Sequence, residues 1–157
     1  MFTRGLLRYA WLLAVALAAC SPAPRIPDVP QALPSPAGDW TIKLTQSGGF
    51  AGVLLTVQVS SDGTLTAENQ RAGRSVKQSL PPDIVAQLAS QVAPVLQVTP
   101  AAPRSGCADC FLYRLEFTTE GKTARIEADD MTLSGSGVAG LVKLLQQLRD
   151  RALSSKP

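Results

Sequence analysis

Trp40-Thr41-Ile42-Lys43-Leu44-Thr45, Ser47-Gly48-Gly49-Phe50-Ala51-Gly52 and Val53-Leu54-Leu55-Thr56-Val57-Gln58-Val59 together decide the fold. The first segment alternates apolar and polar residues, the pattern of a strand with one buried face. The glycine-rich segment breaks the alternation. The third restores it, with Val53, Leu55, Val57 and Val59 on one face. Apolar residues sit at even positions before the break and odd ones after it, a parity change that a bulge or a wide loop produces. Asp62-Gly63 then predicts a two-residue hairpin turn, because glycine accepts the positive φ such turns require. Thr64 to Ala67 can add a third strand, whereas Glu68 to Gln78 is polar and weakly patterned, a fraying strand or a loop.

A second unit repeats the design. Phe111, Tyr113, Leu115 and Phe117 alternate with Leu112, Arg114, Glu116 and Thr118; Thr119-Glu120-Gly121-Lys122 turns; Ala124, Ile126 and Ala128 return. A helix follows each unit. The first starts at Ser79-Leu80-Pro81-Pro82-Asp83, where proline's missing N–H costs little. It continues through Val85, Leu88 and Val92, and Pro94 is expected to end it near Ala93. The second places Val138, Leu141, Val142, Leu145 and Leu148 on one stripe. The expectation is an α+β domain of order β-β-(β)-α-β-β-α, a small antiparallel sheet of four to five strands covered on one face by two helices.

This domain spans residues 40–153 of a 157-residue chain. Residues 1–19 read as an export signal: Arg4 and Arg8 without an acid, then an apolar run through Leu17 too short to cross a membrane as a helix. The run ends in Leu17-Ala18-Ala19-Cys20, which resembles a bacterial lipobox and implies acylation of Cys20, with chains such as palmitate, followed by cleavage before it. Several acyl chains anchor firmly, since each buried CH₂ contributes about 0.8 kcal/mol. Residues 20–39 hold six of the 12 prolines and read as an extended tether. The protein is therefore expected outside the cytoplasm, bound to membrane lipid. Ser21 at the position after the cysteine favours the outer membrane where a cell has two.

The chain contains no histidine, which removes histidine-based nucleophile systems and His-ligated zinc. The net charge of +3 falls to about +1 without Arg4 and Arg8, and its even spread gives no footprint for nucleic acid. No complete catalytic set, metal site or cofactor motif emerges, so the chain is not read as an enzyme. Gly135-Ser136-Gly137-Val138-Ala139-Gly140 has the spacing of a dinucleotide fingerprint, but too little chain follows it for a parallel βαβ unit. Glu127, Asp129 and Asp130 read as a solvated turn. Cys107 and Cys110 have redox-motif spacing but precede a strand, without the helix N-terminus that activates such thiols. In an oxidising compartment a small structural disulfide is the leading reading, ahead of redox chemistry or metal ligation. Gly48, Gly49 and Phe50 admit two readings: a hairpin whose Phe50 folds back on the sheet edge, or an exposed apolar anchor whose glycines let a partner approach.

Ile42-x-Leu44-x-x-Ser47-Gly48-Gly49-Phe50-Ala51-Gly52, the Leu80-Pro81-Pro82 helix start, Phe111-x-Tyr113-x-Leu115 and the leucine-rich last helix resemble, in that order, the emfourin-type domains. The resemblance covers about residues 39 to 153. Emfourin inhibits protealysin, a thermolysin-like zinc metallopeptidase. The resemblance thus implies a domain that blocks such a peptidase by docking, with no chemistry of its own. The alternative expectation is an envelope scaffold lipoprotein of the same fold without inhibitory activity. Lipidation and the Cys107–Cys110 pair are departures from the emfourin pattern.

Overall fold

The computed structural model describes residues 38–95 and 106–155. The export signal, Cys20 and nearly all of the tether lie outside the described residues. Strands β1 (Trp40–Gly48), β2 (Val53–Ser60), β3 (Thr64–Asn69) and β4 (Arg74–Ser79) precede helix α1 (Pro82–Val95). Strands β5 (Phe111–Thr119) and β6 (Lys122–Asp129) follow, then a 3-10 turn at Leu133–Gly135 and helix α2 (Ala139–Ser154). The strands form one open antiparallel sheet in the order β4-β3-β2-β1-β5-β6. The fold is α+β as expected, with six strands rather than four or five.

The alternation at Trp40–Thr45 and Val53–Val59 becomes the centre of the sheet. Ile42 lies opposite Val59 and Phe117, and Leu44 opposite Val57 and Leu115. The parity change between β1 and β2 needs no bulge. Gly48 pairs with Val53 across a four-residue loop, and an even loop carries even positions onto odd ones on the same face. The Asp62-Gly63 hairpin is wider than expected. Ser61, Asp62 and Gly63 form a three-residue loop with Gly63 at φ 82°, which sets Val59 opposite Leu65 and keeps both on the core side. Asp62 stabilises the loop by accepting the Thr64 N–H at 2.8 Å, an interaction that holds its carboxyl below the usual aspartate value.

The extra strand is β4, inside the segment expected to be a loop or frayed strand. Ala67 pairs with Val76 across a four-residue turn, in which Asn69 Oδ1 accepts the Ala72 N–H. β4 is a sheet edge, so it buries little and carries only Val76 as a core-side apolar residue, flanked by exposed Arg74, Ser75 and Lys77. Charge on an edge strand discourages pairing with other chains. Helix α1 also departs from expectation: it runs past Pro94 to Val95. Proline's own φ is helical, and in the last turn its missing N–H removes a single bond.

One hydrophobic cluster joins Trp40, Ile42, Leu44, Val57, Val59, Leu65, Tyr113, Leu115, Phe117 and Ile126 of the sheet to Leu88 and Val92 of α1 and Leu141, Val142, Leu145 and Leu148 of α2. Helix α2 packs across β2, β3 and β4. Trp40 stacks on Phe117 with ring centroids 6.5 Å apart. Cross-strand ion pairs, Arg114–Glu127 and Arg125–Glu116, join the exposed sides of β5 and β6. All described residues belong to one compact unit.

Candidate partner-docking site

The registers bring four connections to one end of the sheet. Gly48 pairs with Phe111, Leu112 with Asp129, and Leu55 with Asn69. The Gly49–Gly52 loop, the Cys107–Cys110 segment, the turn after Asp129 and the Gln70–Gly73 turn therefore share this end.

Phe50 is at the tip of the first loop and is 99% exposed. This excludes the expectation that it folds back on the sheet edge. The glycines beside it serve the loop's own packing. Gly48 has φ 94°, and a Cβ there would stand 2.8 Å from the Cys110 carbonyl oxygen. Gly49 has φ 68°, and a Cβ there would stand 2.6 Å from Cε1 of Phe111. The space at Gly48 and Gly49 is filled by Cys110 and Phe111 rather than open to a partner's backbone. The Gly49 N–H donates to the Cys110 carbonyl at 3.2 Å, and the Gly52 N–H closes the loop onto the Gly49 carbonyl at 2.9 Å. Phe50 thus projects from a loop tied to the neighbouring strand.

The platform beneath this loop is held from its other side. Asp130 Oδ2 accepts the Phe111 N–H at 2.7 Å, and its Oδ1 accepts the Tyr113 hydroxyl at 2.8 Å. Burial and this carboxylate partner push the Tyr113 phenol up to about 12. Behind Tyr113, Gln46 Oε1 accepts from buried Arg149 at 2.8 Å and from Gln146 at 3.1 Å, tying α2 to the same end of the sheet. Arg149 Nε also pairs with Asp150 at 2.7 Å.

The acidic stretch is not the solvated turn expected. Asp129 is buried, and its Oδ1 accepts the N–H groups of Met131 and Thr132 and the Thr132 hydroxyl. Asp130 holds Phe111 and Tyr113, and Glu127 pairs with Arg114. The tight turn at Asp129 presents Met131, 69% exposed; it and Phe50 are the exposed large hydrophobic residues among those described. Met131 lies outside the candidate residues drawn from the sequence. Its signal there is a lone apolar residue between acids and a threonine, a pattern that strand and helix periodicity do not rank.

Cys107 and Cys110 have their sulfurs 2.01 Å apart, at disulfide distance, immediately before β5. Ser136 is occupied at the entry to α2, donating to the Leu133 carbonyl and accepting the Val138 N–H. Gly135–Gly140 leads from the 3-10 turn into α2, and among the described residues no parallel strand follows that helix. Among the described residues no group of three His, Cys, Asp or Glu side chains could hold a metal ion, and no helix is long and apolar enough to cross a membrane. No family model matches the chain, and no curated protein matches it.

Proposed function

We propose that the domain is a docking module that engages a protein partner through the Phe50 end of its sheet. In the most specific form of this reading, it is a lipid-anchored inhibitor of a thermolysin-like metallopeptidase outside the cytoplasm. Cys20 supplies the anchor, the proline-rich segment the reach, and the domain occludes the peptidase cleft sterically. The observation that carries the docking reading is Phe50: a phenylalanine left wholly in water on a loop whose backbone is pinned to the rest of the domain. Large aromatic side chains dominate interface energetics, and a loop already ordered before binding loses less entropy on contact. The peptidase as partner, and the extracytoplasmic anchor, rest on the resemblances in the sequence.

The experiment is inhibition. The full chain, held in mild detergent, is titrated against several thermolysin-like zinc peptidases and residual activity is measured. The account expects a saturable loss of activity with at least one, accompanied by a stoichiometric complex. Full activity with all of them and no complex would replace it with the scaffold reading.

A further inference from the structure

Large apolar side chains exposed singly on a surface need no explanation. Phe50 and Met131 differ in sharing one end of the sheet and one support. Phe50 follows Gly49, which packs on the Phe111 ring. Met131 follows Asp130, whose carboxylate accepts the Phe111 N–H at 2.7 Å and the Tyr113 hydroxyl at 2.8 Å. The Met131 N–H itself donates to Asp129 Oδ1 at 3.1 Å, so the backbone under this side chain is fixed as well. Only β5 separates β1 from β6, and neighbouring strands lie about 4.8 Å apart, so the two loops stand on the order of 10–15 Å from each other. On the other side of Phe50 lies the Gln70–Gly73 turn, tied to β2 by the Gln70 N–H on the Leu54 carbonyl at 3.1 Å. It carries exposed Arg71, whose guanidinium would be 3.5 Å from a Cβ at Gly52. The ion pairs among the described residues engage Arg114, Arg125 and Arg149, and none engages Arg71. The acids of this end, Asp109 and Asp130, lie toward β5 and β6, across the loop from Arg71.

We propose that Phe50, Met131 and Arg71 form one three-point docking surface, and that its partner is a protein whose cleft offers two apolar pockets at matching separation, with a carboxylate beside the pocket that takes Phe50. The inference rests on the proposed docking role of Phe50 and extends it to the partner's chemistry. Each residue has a different part. Phe50 is the large, stiff anchor. Met131 is an unbranched, polarizable chain on a fixed backbone, suited to a second and less regular apolar pocket. Because both backbones are ordered in the free protein, aligning the two side chains costs little further entropy on contact. Arg71 is an unpaired cation at the rim, where charge governs chiefly the rate of encounter and its dependence on salt. The same charge disfavours a cleft with a basic mouth.

The test uses the full chain in mild detergent against the same series of thermolysin-like zinc peptidases. Wild type, Met131→Ala, Met131→Leu and Arg71→Gln are titrated at low and at high salt, with urea midpoints measured on the same samples. Met131→Ala should raise the inhibition constant about tenfold, and Met131→Leu, which keeps the volume, should return it to within about twofold of wild type. Arg71→Gln should raise it about fivefold at low salt and hardly at all at high salt. The midpoints should not move, because both side chains are exposed. Wild-type inhibition that Met131→Ala leaves unchanged, or that Arg71→Gln leaves unchanged at low salt, overturns the three-point surface while Phe50 docking stands. No inhibition by the wild-type chain overturns the docking reading and this surface with it. Self-association of the full chain that Phe50→Ala abolishes would assign the surface to a second copy and overturn the proposal.

Discussion

At Gly49 a single hydrogen atom separates a packed loop from a clash. The residue holds φ 68° against the Phe111 ring, so Gly49→Ala adds both backbone strain and a contact that something must yield to. The expected cost is about 1–3 kcal/mol of stability, measured as a lower urea midpoint. Tyr113 is a second residue whose surroundings make a definite prediction. Burial and the Asp130 carboxylate push its phenol up from 10.0 to about 12, so in that interval the folded protein keeps a proton that the unfolded chain has lost. Stability should therefore decline as pH rises from about 10 through about 12, and Tyr113→Phe should flatten that part of the profile in urea melts at stepped pH. An unchanged slope in the variant would assign the decline to other groups.

Among the elements, burial falls from the sheet's centre to its edges, and sequence legibility falls with it. β1, β2 and β5 each place buried apolar residues at alternate positions (Trp40, Ile42 and Leu44; Val57 and Val59; Tyr113, Leu115 and Phe117), so alternation alone locates them, and the stripe Leu141-Val142-Leu145-Leu148 does the same for α2. β4 has one half-buried apolar residue, Val76, among charged and hydroxyl side chains, too little for periodicity to separate from a loop. Its existence is set by pairing with β3, a nonlocal fact. The same gradient predicts mutational cost. Leu65 on β3 is fully buried, and Leu65→Ala should cost about 2–5 kcal/mol, whereas Val76→Ala on the edge should cost well under half of that in the same urea assay. Equal costs would contradict the burial order. At the candidate site, the glycine–phenylalanine motif was legible as an exception to the strand pattern, but the direction of Phe50 was not. That direction follows from a four-residue loop filled from beneath by Phe111, which lies 61 positions away in the chain. Asp130 and Met131 were illegible as part of the same end for a similar reason: only the β5–β6 register brings them there.

At the scale of the whole molecule, the proposed anchor and tether occupy stretches of the sequence separate from the domain, so each should fail alone. Cys20→Ala should abolish acylation and release the protein from the membrane fraction, while far-UV circular dichroism of the domain stays unchanged. Continued acylation and membrane association of that variant would refute the lipobox assignment. The docking claim is the one on which the account turns, and it reduces to one side chain. Binding of the full chain and of Phe50→Ala to an inhibited peptidase should be compared by calorimetry, with urea midpoints measured on the same samples. Because Phe50 is 99% exposed, its truncation leaves the folded core untouched. The account predicts an affinity loss of about 2 kcal/mol or more, with an unchanged midpoint. Unaltered affinity, or a midpoint that falls along with it, would contradict the assignment of Phe50 as the docking residue.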